Sequence, residues 1–313
     1  MAIKANLRAR RRRRRILWVS VLAILVALLV VVYFVAALGT SPNAKYIGQP
    51  VPGSLLQVIT GVSDSTLAAV GTPTGVTPPA TISGSPLTSG GKPEVLYIGG
   101  DFCPYCAIER WALIVALSHF GTFQGLEYML SSSTDLNANT PTFTFTNVAY
   151  TSSYVTFVPV EEFGRLGQQQ VIKPLTSDQQ SVVSQFDVCS TSSQAGGIPF
   201  VDIANQYAVN CGSQFLLPDQ TQYLTSPSQP NIIGMNWTQI ASQLDNPNSG
   251  VARMIDGAAN TLITAICKVT GGSPSSVCSQ GYANQTLAYA SQPTATQTLL
   301  AVPVRASDQP WTD

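Results

Sequence analysis

The chain has 313 residues, with sixteen Lys/Arg against sixteen Asp/Glu and no formal net charge. The balance is uneven. Lys4, Arg8 and Arg10 to Arg15 place eight of the sixteen basic residues in the first fifteen positions, so the rest of the chain carries a net charge of −8. That excludes a nucleic-acid footprint beyond the N-terminus.

Residues 1–15 are the basic segment, expected on the cytoplasmic side. Ile16 to Leu38 follows as 23 residues without a charge, long enough to cross a bilayer as a helix. Basic residues before it and few after it predict a single-pass cell-membrane anchor with the main part of the chain outside the cytoplasm. A cleaved signal peptide is the competing reading, with Val35-Ala36-Ala37 as its small-residue site, but its apolar region would be only ~7–15 residues.

Residues 39–93 read as a linker with short helical pieces. Ser54 to Ile59 and Ser65 to Val70 have apolar residues behind capping serines. Thr72 to Gly91 carries four prolines and four glycines and is expected to be irregular. The exterior domain is placed at 94–290. Its first strand is Val95-Leu96-Tyr97-Ile98, and its first helix begins at Ala107 and runs toward Phe120. Between them stands Cys103-Pro104-Tyr105-Cys106. At a helix N-terminus, unpaired N–H groups and the helix dipole stabilise the thiolate of the first cysteine. The second, one turn in, is close enough to attack a mixed disulfide formed by the first.

Leu126 to Leu130 reads as the second strand. Thr142-Phe143-Thr144-Phe145-Thr146 alternates strictly, and with Tyr154 to Val160 it predicts a hairpin with one exposed face. Thr176-Ser177-Asp178 opens a helix to about Val188. Gly196-Gly197-Ile198-Pro199-Phe200-Val201-Asp202-Ile203-Ala204 is an apolar strand behind a proline, and Asn205-Gln206-Tyr207 turns it into a last short strand. Asn236 caps Trp237, Ile240, Ala241 and Leu244, spaced i, i+3, i+4, i+7. A longer helix runs from about Ser249 to Lys268 and stops at Gly271-Gly272. Residues 291–313 form an irregular tail.

Six cysteines lie beyond the anchor: Cys103, Cys106, Cys189, Cys211, Cys267 and Cys278. An even count outside the cytoplasm argues for disulfides. With Cys103 and Cys106 paired to each other, the other four allow three connectivities; Cys189–Cys211 and Cys267–Cys278 are favoured because each pair flanks a short loop. A zinc site would need a second close-spaced pair, which is missing, so neither a metal nor another cofactor is expected. The single histidine, His119, reads as a surface or boundary helix residue.

The order of strand, Cys-Pro-Tyr-Cys, helix, strand, helix, Ile-Pro, two strands and helix resembles the thioredoxin superfamily. The tetrapeptide itself is similar to that of glutaredoxins. The longer run from Leu96 to Leu113, with Pro141 to Phe145 and Ile198 to Asn205, resembles a prokaryotic membrane-anchored family named domain of unknown function 929, over roughly Tyr46 to Cys278. The resemblance implies an α/β, thioredoxin-like fold with C-terminal helices. Cys106 and Pro199 are 93 positions apart, so an insertion is implied, with the β-rich stretch from about Asn139 to Glu162 as the candidate.

The resemblance also implies roles. Cys103 is the nucleophile and Cys106 the resolving thiol. Pro199 takes the place of the cis-proline whose loop faces the two sulfurs, and the backbone of Ile198 pairs with an extended substrate. Asp101 and Glu109 are the nearest acids, either relays for the Cys106 proton or solvated surface carboxylates. Arg110 either favours a thiolate or makes a surface ion pair. Trp111 reads as core and Phe102 as an apolar rim. The expected activity is thiol–disulfide exchange with protein thiols or disulfides of the envelope, served by a redox partner that the sequence does not identify. With Tyr105 and no imidazole between the cysteines, a potential of about −200 to −230 mV is expected rather than about −120 mV. The alternative is a non-catalytic scaffold or redox sensor whose Cys-x-x-Cys closes a structural disulfide.

Overall fold

The computed structural model describes residues 13, 15–30, 41–73, 75–135, 137–187, 197–209 and 232–289. Residues 15–30 are helical and exposed along their whole length, covering part of the expected span at 16–38. Among the described residues no helix is long and apolar enough to cross a membrane.

Two short helices, α1 (Gly53–Thr60) and α2 (Asp64–Val70), come first. The Ser63 side chain caps α2 by accepting from the Thr66 N–H. Leu55, Ile59 and Leu67 enter the main core, so this part of the supposed linker packs on the domain. Short strands β1 (Ala80–Thr81) and β2 (Thr88–Ser89) lead to the central strand β3 (Lys92–Gly100). Helix α3 (Pro104–Ser118) follows directly, then four short strands, β4 (Gly121–Gln124), β5 (Glu127–Leu130), β6 (Pro141–Thr144) and β7 (Ala149–Ser152). Strand β8 (Thr156–Phe163), helix α4 (Ser177–Phe186) and the hairpin β9 (Phe200–Ile203)–β10 (Tyr207–Val209) come next. The chain then forms α5 (Trp237–Leu244), α6 (Gly250–Val269), the one-turn α7 (Ser275–Cys278) and β11 (Ala288–Tyr289).

The result is a mixed α/β fold on a mixed sheet. Strands run β11-β1-β10-β9-β3, with β8 on the far side of β3. Strand β8 is parallel to β3, whereas β9 is antiparallel to β3 and β10 to β9. The β9–β10 turn uses Ala204 and Asn205, both at positive φ (57° and 56°), and the Asp202 carboxylate accepts from the Asn205 N–H at 2.7 Å.

Every residue of β3 from Val95 to Gly100 is buried because helices cover both faces. Val95 and Tyr97 share a core with α3 and α6, while Leu96 and Ile98 pack with Phe186 of α4. Helix α3 is apolar nearly all round and buried from Cys106 to Leu117, as expected for a helix held between a sheet and a second helix. That second helix is α6, and the two make the most extensive helix–helix packing among the described residues.

The expected hairpin between Thr142–Thr146 and Tyr154–Val160 does not form. Strand β6 pairs with β5 and is buried throughout, and β8 joins the main sheet beside β3. The strand that follows the helix in the sheet is therefore β8, not Leu126–Leu130. Alternation misled here because Thr142 and Thr144 are buried and find partners. Thr142 Oγ1 donates to the Ala107 carbonyl at 2.7 Å, and the Thr144 and Thr146 hydroxyls are 2.9 Å apart. The Trp111 indole N–H donates to the Pro141 carbonyl at 2.9 Å, so the β4–β7 region straps α3 from outside.

The Cys267–Cys278 bridge is present, with Cα atoms 5.4 Å apart. Gly271 and Gly272, at φ 62° and 80°, reverse the chain so that α7 returns to α6. Cys189 and Cys211 lie outside the described residues.

Candidate functional site

The dithiol stands at the C-terminal end of the central strand. Between Gly99 and Gly100 the β3–β8 register shifts, and the strand gives way to a turn in which the Cys103 N–H donates to the Gly100 carbonyl at 3.1 Å. A Cβ at Gly99 would lie 2.1 Å from the Tyr97 hydroxyl, so only glycine fits between Tyr97 and the turn. Cys103 is the N-cap of α3, with extended backbone (φ −79°, ψ 122°) and Pro104 in the first helical turn. Its sulfur accepts from the Cys106 N–H at 3.2 Å, which satisfies one otherwise unpaired helix donor. Both cysteines are free thiols, Cys103 5% exposed and Cys106 fully buried.

Burial alone pushes the Cys103 thiol up. Hydrogen bonds from the Cys106 side chain and backbone, the Arg110 charge and the Tyr105 backbone outweigh it and bring Cys103 below its ordinary value. Cys106 is driven the other way, first by burial and then by its bond to Cys103 and the Cys103 charge. The two sulfurs are therefore shifted in opposite directions, Cys103 down and Cys106 up.

The structure brings Ile198 and Pro199 to the same place. The Ile198–Pro199 peptide is cis, and the Cys103 sulfur is 3.7 Å from the Ile198 carbonyl across 95 positions of sequence. Pro199 is buried and Ile198 half-buried. Phe102 is half-buried beside Cys103, its ring centroid 6.1 Å from that of Phe163.

Beneath the sulfurs the structure corrects the surface readings of Asp101, Glu109 and Arg110. Asp101 is 4% exposed, and Glu109 and Arg110 are fully buried. Helix α3 has no solvent face over these turns, so its charged residues cannot be surface residues. Arg110 makes a forked pair with Glu161 of β8, Nε to Oε1 and Nη2 to Oε2, both at 2.7 Å. Its Nη2 also lies 3.6 Å from Asp101 Oδ1. A guanidinium fits a carboxylate through two parallel N–H bonds, and the Phe145 N–H adds a third donor to Glu161 Oε1 at 3.3 Å. Tyr97 completes the group, with the guanidinium carbon 5.9 Å from its ring centre. Burial, then the Glu161 charge, push Asp101 up to about 7 against the pull of Arg110 and of the Thr144 hydroxyl.

Glu161, Tyr97 and Thr144 were not among the residues expected at the site. Glu161 is 51 positions from Arg110, too far for any local spacing rule. Its local signal is Glu161-Glu162 inside an otherwise apolar strand. His119 caps the far end of α3, half-buried, 6.0 Å from the Tyr282 ring and away from the sulfurs. Among the described residues no group of three or more His, Cys, Asp and Glu is placed to hold a metal ion.

A depressed thiol, a neighbouring protonated thiol one turn away, a carbonyl facing the first sulfur and a buried cation below are a combination suited to two-electron exchange between a dithiol and a disulfide. No curated protein and no solved structure matches the chain. The family model described as Domain of unknown function (DUF929) matches residues 78–268, a narrower stretch than the resemblance from Tyr46 to Cys278. That match covers more than half of the chain, which thereby belongs to this family of unknown function.

Proposed function

We propose that the chain is a membrane-anchored thiol–disulfide oxidoreductase of thioredoxin-like fold, acting outside the cytoplasm through Cys103 and Cys106. The observation that carries this reading is the meeting of Cys103, as the N-cap of α3, with the carbonyl of Ile198 at a cis Ile198–Pro199 peptide. The strand order β8-β3-β9-β10, with only β8 parallel to β3, and helices α3 and α4 in the β3–β8 and β8–β9 connections, supports the thioredoxin-like assignment. The basic first fifteen residues and the apolar, exposed helix at 15–30 support the anchor.

In the reducing direction the Cys103 thiolate attacks one sulfur of a substrate disulfide. A mixed disulfide forms and the other substrate sulfur leaves as a thiolate. Cys106 then loses its proton and attacks the Cys103 sulfur, which releases the second substrate thiolate and closes the Cys103–Cys106 bond. Two electrons pass to the substrate, and the reverse sequence oxidises a substrate dithiol. A peptide strand of the substrate would lie along Ile198, taking the place of the contact between Cys103 and the Ile198 carbonyl. The competing scaffold or sensor reading draws on the burial of both sulfurs.

The test is exchange between the reduced full-length chain and a glutathione redox buffer. The expected result is one Cys103–Cys106 disulfide per chain at about −200 to −230 mV, with reduction of an added peptide disulfide. A pair that equilibrates only below about −300 mV, in the range of structural bridges, and leaves the peptide disulfide intact would support the scaffold reading.

A further inference from the structure

Arg165 follows β8 by two positions and reaches across the chain to the end of β5. Its Nε–H is shared between the Leu130 and Ser131 carbonyls, at 3.0 and 3.1 Å, and Nη2 donates to Asn139 Oδ1 at 2.8 Å. All three acceptors are neutral oxygens, so the guanidinium serves here as a fork of donors rather than as a charge partner. Asn139 stands at φ 58°, a conformation that asparagine tolerates better than most residues. Its N–H donates to the Ser132 carbonyl at 3.0 Å. Residues on both sides of this turn, Leu130, Ser131 and Asn139, are thus tied to one side chain.

The turn touches the dithiol segment. The Ser132 N–H donates to the Phe102 carbonyl at 2.8 Å, and the Asp101 N–H donates to the Phe163 carbonyl at 2.8 Å. The two residues before Cys103 are therefore held by the two segments that Arg165 joins, Phe102 by the turn and Asp101 by the end of β8. Asp135 of the same turn lies near Tyr105, whose phenol is raised first by burial and then by the Asp135 charge. Two segments border Cys103 and leave it 5% exposed: the turn, through Phe102, and the Ile198 loop, whose carbonyl is 3.7 Å from the sulfur.

The border continues as apolar surface. Phe102 and Phe163 are half-buried with their rings 6.1 Å apart, and Val171 pairs with Phe163 through the backbone. Leu166 and Val171 are 69% and 54% exposed. The nearby cations are already engaged, Arg165 with three neutral oxygens and Arg110 with Glu161. Neither is set to hold a substrate carboxylate, and Asp135 would repel one.

We propose that Arg165 is a positioning residue that sets the substrate class of the dithiol: by holding the turn against Phe102 it gives Cys103 a walled, apolar approach that fits a disulfide within an uncharged, extended polypeptide segment and disfavours a small anionic disulfide such as oxidised glutathione. This rests on the reading of Cys103 as the nucleophile of thiol–disulfide exchange. A polypeptide can cover Phe102 and Phe163 while its backbone follows Ile198. Oxidised glutathione brings several carboxylates and little apolar surface. Loosening the wall weakens the hold on the polypeptide and leaves the sulfur chemistry as it was.

The test is single-turnover exchange of the reduced full-length chain with three disulfides: an uncharged peptide with apolar residues beside its cystine, oxidised glutathione, and hydroxyethyl disulfide, which is small and neutral. In the native chain the peptide is expected to exchange about a hundredfold faster than oxidised glutathione at equal concentration. Arg165→Met is expected to raise the half-saturating peptide concentration about tenfold, with the limiting rate and the hydroxyethyl disulfide rate each within about twofold of native. Asn139→Gly adopts the positive φ readily and removes one of the three acceptors, so a rise of about threefold is expected. Should Arg165→Met fail to fold, Asn139→Gly decides alone. A residue that only braced the fold would slow the peptide and hydroxyethyl disulfide alike. That result, or a native chain that exchanges as fast with oxidised glutathione as with the peptide, would overturn the proposal and leave the oxidoreductase reading standing. A chain that exchanges with none of the three would refute that reading and the substrate class with it.

Discussion

Two pairs of cysteines begin on two helices that pack against each other, α3 and α6, and their surroundings are opposite. Cys103 and Cys106 occupy the N-terminus of α3; Cys267 lies in the last turn of α6 and is closed to Cys278 of α7. The first pair is open, and helix N–H groups point at its leading sulfur. The second is at the end where the dipole is negative and a thiolate is disfavoured. Around the first pair the interior holds Asp101, Arg110 and Glu161. Around the second it is apolar, with Ile266, Val277 and Tyr282 in the same core cluster. The comparison teaches that helix polarity and buried charge, more than sequence spacing, separate the surroundings of the free pair from those of the bridged pair.

The largest expected break in that symmetry is kinetic. Cys103→Ser should lower exchange with a peptide disulfide at least a thousandfold, since the thiolate is the nucleophile. Replacing Cys267 and Cys278 together by alanine should leave the rate within about twofold, measured on folded protein under conditions where both variants remain native. A comparable loss from the second change would erase the distinction between the pairs.

The buried charge near the first pair should also cost the fold when it is broken. Arg110→Met leaves Glu161 buried without its partner, and about 3–5 kcal/mol of stability should be lost in urea unfolding. Asp202, on strand β9, shows what burial does to a carboxylate without a buried cation beside it. Burial raises it from its ordinary 3.8 to about 7, against the pull of the Asn205 N–H. The folded chain therefore holds this proton more tightly than the unfolded chain. The stabilisation is complete below about pH 4 and is lost as pH rises to about 7, on the order of 2–4 kcal/mol. Asp202→Asn should flatten that part of the stability–pH curve, and an unchanged slope would contradict the assignment. Opening the Cys267–Cys278 bridge should cost about 3 kcal/mol, as expected for a loop of this length. The smallest effect is expected at Lys268, exposed in the last turn of α6. Lys268→Met should change stability by no more than about 0.5 kcal/mol.

Much of this contrast was readable in the chain. The strand before Cys103, the capped start of α3, the Ile198–Pro199 segment and the Cys267–Cys278 pairing all rest on local spacing, and local rules reached them. The charged group did not follow from spacing, because Arg110 and Glu161 meet only when β8 joins β3. The error over β6 and β8 hid it, since treating Tyr154–Val160 as half of an exposed hairpin removes Glu161 from the interior. A second signal lies in α3 itself. The run from Ala107 to Leu117 has no polar face, which marks a helix buried all round. Glu109 and Arg110 within it had to be buried, and a buried arginine needs a carboxylate. Glu161 was an available donor of one, but which acid would reach Arg110 depended on the sheet.

The most direct measurement is covalent trapping in native membranes, with Cys106→Ala and Cys103→Ala compared on non-reducing gels. If Cys103 attacks and Cys106 resolves, Cys106→Ala should accumulate reducible adducts with other proteins through Cys103, and Cys103→Ala should trap few. Equal trapping by both variants, or by neither, would contradict the account and leave the dithiol as a structural bridge.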